Sequence, residues 1–285
     1  MEKEMIKTDN NRLSFPFRKL CTCLPAFLLA AALSGCRAVS QDAARSVTFR
    51  MMTYNIHHGE GLDGKIDLRR IADLIKREKA DIVSLQEVDK GVPRTDHRDL
   101  CAELAALTGM TGIFGKNYDL EGGEYGNAVL TRFPVKTWRN LHYVMMKPGE
   151  QRGLLQLRLD VKGRDLVLMN THFDDSPEDD ERMQSVNELP RAAASYAPAP
   201  MILSGDFNDL PHSRVYNKLS ETLDDTWTMA GSGAGITYPG DNQRIDYVWR
   251  SRDGALTPLK AWIPVSAASD HLPLVVEFRL RQSAE

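Results

Sequence analysis

Cysteine is scarce in this 285-residue chain: there are four. Cys21, Cys23 and Cys36 lie in or at the end of an N-terminal apolar segment, which leaves Cys101 alone in the rest. A lone thiol forms neither a disulfide framework nor a cysteine-rich zinc site. On the apolar helical pattern around it, Cys101 reads as a small buried hydrophobe. Long hydrophobic runs are also absent. The best candidate, residues 20–33, is interrupted by Thr22 and Pro25 and falls short of the roughly 20 apolar residues that span a bilayer. There is no block of one charge sign. Lys and Arg number 36 against 39 Asp and Glu, a net charge of -3, so nothing marks a dedicated binder of nucleic acid or anionic membranes. No internal repeat appears, and no low-complexity stretch beyond an Ala/Pro-rich patch at 192–200. No linker interrupts residues 46–281, so a single domain is expected there. Hydrophobic residues at 42% and charged residues at 26% are ordinary for a globular protein.

What is present starts at the N-terminus. Arg18 and Lys19 precede the apolar run, the arrangement of a signal-peptide core. The run ends in Leu33-Ser34-Gly35-Cys36, which resembles a bacterial lipobox. The division read from this is a lipoprotein signal peptide at 1–35, a tether at 36–46 and a domain at 47–281. Cys36 would carry the lipid and anchor the protein in a bacterial cell envelope. Arg37 in the next position favours the outer membrane. An ordinary secretion signal or an uncleaved anchor are the alternatives.

Within the domain, residues 47–56 read as a strand. Residues 67–78 place Leu68, Ile71, Ala72 and Ile75 on one helical face, with Asp67 as the cap. A strand at 81–85, a helix at 98–108 stopped by Gly109, and a strand at 129–131 follow. Residues 153–161 and 165–170 read as a hairpin across Lys162-Gly163-Arg164. A helix is expected over 177–194, kinked or ended by Pro190. The last clear strands are 201–204, 245–249 and 274–280. Many strands with interspersed helices predict an α/β (α+β) sandwich of sheets flanked by helices.

Six short segments put polar side chains where strands should end. They are Thr53-Tyr54-Asn55-Ile56-His57, Leu85-Gln86-Glu87-Val88-Asp89, Asn170-Thr171-His172, Ser204-Gly205-Asp206-Phe207-Asn208-Asp209, Arg244-Ile245-Asp246-Tyr247 and Ser269-Asp270-His271-Leu272-Pro273. Together they predict one polar pocket at a sheet edge. Side chains two apart on an extended segment share a face, so Asp206 and Asn208 would project together with Phe207 turned inward. Such a carboxylate can orient or deprotonate water, and the amide can donate to a phosphate oxygen. Glu87, closing an apolar strand, is a hard oxygen ligand of the kind Mg2+ or Mn2+ takes, and the amide oxygen of Asn55 could assist. His271 needs a partner to fix its tautomer, and Asp246 is a candidate. Taken singly, each of these has a bland reading as a polar loop, a surface acid or a structural pair.

The ordered set resembles the endonuclease/exonuclease/phosphatase superfamily, the fold of deoxyribonuclease I-like enzymes, apurinic endonucleases, inositol polyphosphate 5-phosphatases and bacterial sphingomyelinases. The resemblance rests on Tyr54-Asn55-Ile56, Gln86-Glu87-Val88, Gly126-Asn127-Ala128-Val129-Leu130, Asn170-Thr171-His172, Gly205-Asp206-Phe207-Asn208, Ile245-Asp246-Tyr247 and Ser269-Asp270-His271, in the family's order over nearly all of 47–280. It implies a four-layer sandwich of two packed mixed sheets flanked by helices, and metal-assisted attack of water on phosphorus. By that analogy Glu87 is the main ligand of Mg2+ or Mn2+, with Asn55 and Asp270 near the metal. Asp206 orients or activates the water, Asn208 holds the phosphate, and His172 binds the transferring group. His271, paired with Asp246, acts as acid/base or stabilises the transition state. Either Asp206 or His271 takes the proton from water. Asn127 falls in a family motif and is expected to bind substrate.

Other positions stay open. Arg94 and Arg152 are either planar forks for a phosphate or solvated loop arginines. His57 and His58 line the pocket, supply a neutral metal ligand, build a second zinc-like site or form a surface pair. The function expected is a secreted, membrane-tethered, divalent-metal phosphoesterase, acting as a monomer on a small or lipid-linked phosphodiester. An extracellular nuclease is the rival substrate reading, and nucleic acid is not the favoured partner. A non-catalytic binding lipoprotein that keeps the fold is the rival of another class.

Overall fold

A computed structural model describes residues 46–281, within one compact unit. The expected signal peptide, most of the tether and Cys36 lie outside the described residues. In chain order the elements are β1 (Ser46–Asn55), α1 (Leu68–Glu78), β2 (Ile82–Lys90), α2 (Leu100–Thr108), β3 (Thr111–Leu120), β4 (Gly123–Thr131), β5 (Val135–His142), β6 (Gly153–Asp160), β7 (Asp165–His172), α3 (Asp180–Ala194), β8 (Met201–Asp206), α4 (Arg214–Leu219), β9 (Leu223–Asp225), α5 (Thr226–Ala230), β10 (Asp246–Ser251), β11 (Leu256–Trp262) and β12 (Leu274–Arg281).

The strands form two six-stranded sheets, ordered β11-β12-β1-β2-β4-β3 and β5-β6-β7-β8-β10-β9. Each is mixed, with one parallel pair at its centre, β1–β2 and β7–β8. Inner faces meet in an apolar layer that includes Phe49, Met51, Ile82, Leu168, Ile202, Val248 and Phe278. The outer face of the first sheet packs Met52, Tyr54, Val83 and Leu85 against Leu68, Ile71 and Ile75 of α1 and Leu104 of α2. The outer face of the second packs Val167, Met169, Tyr247 and Trp249 against α3 and α4. The order of layers is therefore helix, sheet, sheet, helix, the four-layer sandwich expected.

Local chemistry explains the helix ends. Asp67 accepts from the Arg69 N–H at 2.9 Å, and Asp99 caps α2 through the Ala102 N–H. Gly109 ends α2 in the left-handed region at φ 66°, where a residue without Cβ is unstrained. The β6–β7 hairpin closes with Asp160 opposite Asp165. Two expectations are corrected. Pro190 does not end α3, which runs through it to Ala194. The second strand does not stop at 85: β2 continues to Lys90 through an irregularity between Leu85 and Val88. Strands β3, β5, β9 and β11 were not anticipated, and they are the four sheet edges.

Candidate active site

Strand alternation builds the site. On the inner face of β1, apolar Met51 is followed two residues on by Thr53 and then Asn55. Ile82, Ser84 and Gln86 do the same on β2, Leu168, Asn170 and His172 on β7, and Ile202, Ser204 and Asp206 on β8. β10 and β12 run antiparallel to their neighbours, so their polar residues come at or before the strand starts, and Asp246 and His271 reach the same end. The inter-sheet layer is thus oily through most of its length and polar at one end.

A hydrogen-bonded floor separates the two. Ser84 and Ser204 hydroxyls meet across the sheets at 2.8 Å. Gln86 Nε2 donates to Asn170 Oδ1 at 2.7 Å. Asn170 Nδ2 donates to the carbonyls of Leu85 and Ala128, each at 2.9 Å. Asn170 therefore ties the sheets together beneath the cavity.

Above the floor lies a cavity of about 580 Å³, lined by Glu87, Asp206, Asn208, His172, Asp270, His271, Arg94 and Arg152. Asp206 is its hub. Its Oδ2 accepts from Asn55 Nδ2 at 3.0 Å and lies 3.7 Å from His271 Nε2 and 3.6 Å from His172 Nε2. Its Oδ1 accepts from the Asn208 N–H at 2.9 Å. Gly205 makes this possible, because a Cβ there would fall 1.9 Å from the Thr171 carbonyl oxygen of the adjoining strand. Asn208 reaches the cavity in a left-handed conformation, φ 47°, and not by continued alternation. Phe207 turns inward as expected and packs edge-on against Phe173 and Tyr247.

Asp246 lies beneath the cavity and fixes His271: its Oδ2 is 2.9 Å from Nδ1. Burial alone would pull this imidazole down. The Asp246 carboxylate outweighs it, with further help from Asp206 and Asp270, and His271 is pushed up to about 10. Burial first, and then the Asp246 charge, push the Asp206 carboxyl up to about 7. His172 is held well below the usual imidazole range by burial and by Arg152. A neutral imidazole has one acceptor nitrogen, yet two donors approach it, Arg152 Nη1 at 3.2 Å from Nδ1 and Asn208 Nδ2 at 3.1 Å from Nε2. If the charged donor takes Nδ1, the Nε2 proton lies on the side of Asp206 and the Asn208 amide is left to the Phe173 carbonyl, 3.0 Å away.

Glu87 sits at the β2 irregularity in a left-handed conformation, φ 57°, which re-aims a residue that regular alternation would send the other way. Burial raises its carboxyl above the usual range. Asn55 Nδ2 donates to Glu87 Oε1 at 2.8 Å, and Asn55 Oδ1 accepts from the His57 N–H at 3.0 Å. The amide thus offers N–H groups to two carboxylates and keeps its oxygen for the backbone.

The remaining residues divide. Arg94 is a bidentate partner of buried Asp89, both bonds 2.8 Å, and Arg152 faces Glu150 and Asp175. Both arginines line the cavity with much of their charge already answered. Asn127 and His58 are not part of its lining. Asn127 is buried and donates to the Gly153 carbonyl. His58 packs beside His57, 4.4 Å between ring centroids. Sequence reading missed Tyr118, Tyr125 and Tyr238 as lining residues. Tyr118 stands on β3 and Tyr125 on β4, and their aromatic character among polar neighbours was the available signal.

The donor set suits a cation. Glu87, Glu150, Asp175, Asp206, Asp241 and Asp270 all line the cavity with only Arg94, Arg152 and His271 to set against them. The excess of acids favours a cation beside any phosphate that enters. Asp206, Asp246 and His271 place ligand-type atoms within 4.8 Å of one another, as do His57, His58 and Glu87.

The profile of the Endonuclease/Exonuclease/phosphatase family matches residues 52–271. The uncharacterized protein YbhP of Escherichia coli K12 is 29% identical over 84% of this chain and 99% of its own length. A 5'-tyrosyl-DNA phosphodiesterase of Caenorhabditis elegans is 26% identical over 75% of this chain and 57% of its own. The crystal structure of an endonuclease/exonuclease/phosphatase from Beutenbergia cavernae superposes with a TM-score of 0.68, at 27% identity, over 82% of this chain and 72% of that one.

Proposed function

The chain belongs to the endonuclease/exonuclease/phosphatase family, whose members are metal-dependent phosphoesterases, and from that premise we propose that it hydrolyses a small or lipid-linked phosphodiester with a divalent cation. The observation that carries this is the convergence of Glu87, Asp206, Asn208, His172 and His271 on one cavity. Mg2+ or Mn2+ would be held by Glu87, with Asp270 and Asn55 beside it, and when bound would offset charge developing on the phosphoryl oxygens. Asp206, raised to about 7, is poised to take a proton from water near neutral pH. Asn55 and the Asn208 N–H hold its carboxylate in place. His271, kept protonated by Asp246, presents a fixed positive charge and an N–H to the reacting group. The Asn208 amide and the His172 Nε2–H position the phosphate.

A compact headgroup fits this site better than duplex DNA. Residues 1–35 hold five basic and three acidic side chains, so their removal leaves 31 and 36, a net charge of -5. Duplex binding draws on several Lys or Arg contacts to phosphate, and the cavity's two arginines are already engaged. The deciding assay is a panel of phosphomonoesters, phosphodiesters, nucleic acids and phospholipids with Mg2+ or Mn2+. Turnover that survives EDTA, or an active His271→Ala variant, would end the mechanism. Duplex DNA that is cut as efficiently as the small diester in low salt would put an extracellular nuclease first.

The same reading places the protein as a monomer on a bacterial envelope, tethered through acylated Cys36. Cys36→Ser should abolish lipid labelling and leave a precursor. A mature chain that begins elsewhere, seen by mass spectrometry, would overturn the anchor.

A further inference from the structure

Beyond Asn55 the chain makes a sterically disfavoured turn. His57, His58 and Gly59 are consecutive left-handed residues, with φ of 43°, 42° and 87°. Glycine adopts this conformation freely, but two histidines in succession do not. The turn stacks the two rings edge to face at 66° beside Glu87, itself left-handed. One ligand-type atom each from His57, His58 and Glu87 lies within 4.8 Å of the other two. A tetrahedral zinc-like centre asks for ligand atoms roughly 3.4 Å apart, so only a small inward shift is needed.

His58 supplies an independent sign. It is 8% exposed. Its Nε2 faces Glu60 Oε2 at 3.5 Å, while its Nδ1 is buried with no hydrogen-bond partner. A buried polar atom left in that state is costly. Histidines that bind metal turn one ring nitrogen to the ion and the other to a carboxylate or carbonyl. His58 has the carboxylate side of that arrangement and a free nitrogen on the other. His57 repeats it more loosely, with Nδ1 3.9 Å from Asp270 Oδ1, and its backbone is pinned by Asn55.

We propose that His57, His58 and Glu87 form a nitrogen-rich site for a zinc-class transition-metal ion. Two imidazoles and one carboxylate favour Zn2+ or Co2+ over Mg2+ and leave a fourth coordination position open. The site differs in its donors from the all-oxygen set around Glu87, and it stands or falls without any hydrolytic activity.

The test uses the purified full-length chain, stripped of metal. Zn2+ retained after dialysis against excess Mg2+ is counted by plasma mass spectrometry, and Co2+ is followed by its visible absorption. Wild type should retain one Zn2+ per chain and give the intense Co2+ band of a four- or five-coordinate centre. His57→Ala and His58→Ala should each weaken Zn2+ binding on the order of a hundredfold and bleach the band. His212→Ala, on an exposed turn outside the cavity lining, should change neither. Asp206→Asn should keep both while losing hydrolysis, which separates this proposal from the catalytic one. If His58→Ala fails to fold, His57→Ala decides alone, since that ring is 35% exposed. Zn2+ content and Co2+ spectra unaltered by the histidine variants, or no Zn2+ retained by wild type, would overturn the site.

Discussion

From their central parallel pairs outward, the two sheets follow the same succession of pairings. β12 and β4 flank β1–β2 antiparallel, as β10 and β6 flank β8–β7. At the polar end the two halves part. Around Asp206, Asp246, His271, His172 and Asn208, acids and imidazoles answer one another at 2.9 to 3.7 Å. Around Glu87, the backbone is left-handed at His57, His58 and Glu87 itself, and the carboxylate has one amide donor. One half is a closed proton network. The other is a strained carboxylate site whose charge calls for a cation. A buried charge needs a partner, and the difference lies in whether the chain supplies that partner or a ligand does.

The sharpest way to break this comparison is to disable each half. Glu87→Ala and Asp206→Asn should each lower kcat/KM toward a phosphodiester by at least about a hundredfold. Only Glu87→Ala should also shift the concentration of Mn2+ needed for half-maximal turnover. Identical metal titrations in the two variants would erase the proposed division.

A second large effect lies on the link between the halves. Asn170→Leu removes the bridge to the Leu85 and Ala128 carbonyls and to Gln86. Stranding such buried groups costs about 1–3 kcal/mol each, so chemical denaturation should show a loss of roughly 2–5 kcal/mol. A variant as stable as wild type would mean that the floor is not what joins the sheets.

The pH dependence should come from the proton network alone. Turnover should rise as Asp206 deprotonates near about 7 and fall as His271 loses its proton near about 10. Asp246→Asn, which removes the main support of that charge, should move the alkaline limb to lower pH. Stability has its own signs. Asp206 has a folded value above its unfolded one, so the native state holds the extra proton and stability declines as pH rises from about 4 to about 7. His271 is also raised, and its contribution is full below about 6.5 and lost toward about 10. Asp206→Asn should therefore melt higher than wild type at pH 8, by about 2–4 °C per kcal/mol relieved, and show no such gain at pH 4. Equal melting shifts at both pH values would contradict the raised carboxyl.

The smallest effect is expected at Asn127, which lies outside the cavity lining. Asn127→Ala should change KM by less than about threefold while removing one buried hydrogen bond, about 1 kcal/mol. A large KM effect would restore it to the substrate site.

The sequence alone determined the parts whose signal is local. Asp67 and Gly109 mark helix ends through side-chain and backbone chemistry of their own. The central strands are apolar on both faces, so they stand out as runs. The polar residues at their ends stand out against those runs, which is why Asn55, Glu87, Asp206, Asp246 and His271 were legible. The edge strands were not. β5 is largely exposed, β9 has three residues, and β11 carries an irregularity at Pro258. A half-solvated edge leaves little alternation to read. Only the tertiary structure decided which polar residues share a cavity. Left-handed turns at Glu87 and Asn208 re-aim side chains against strand alternation, and Asn170 spends its amide across the sheets. Asn127 and His58 fall outside the cavity lining although nothing in their local sequence separates them from residues inside it. The reason is physical: burial, pairing and charge in the site depend on groups far along the chain, as the Ser269 hydroxyl bonds the Asn55 carbonyl 214 residues away, and a local pattern carries no record of them.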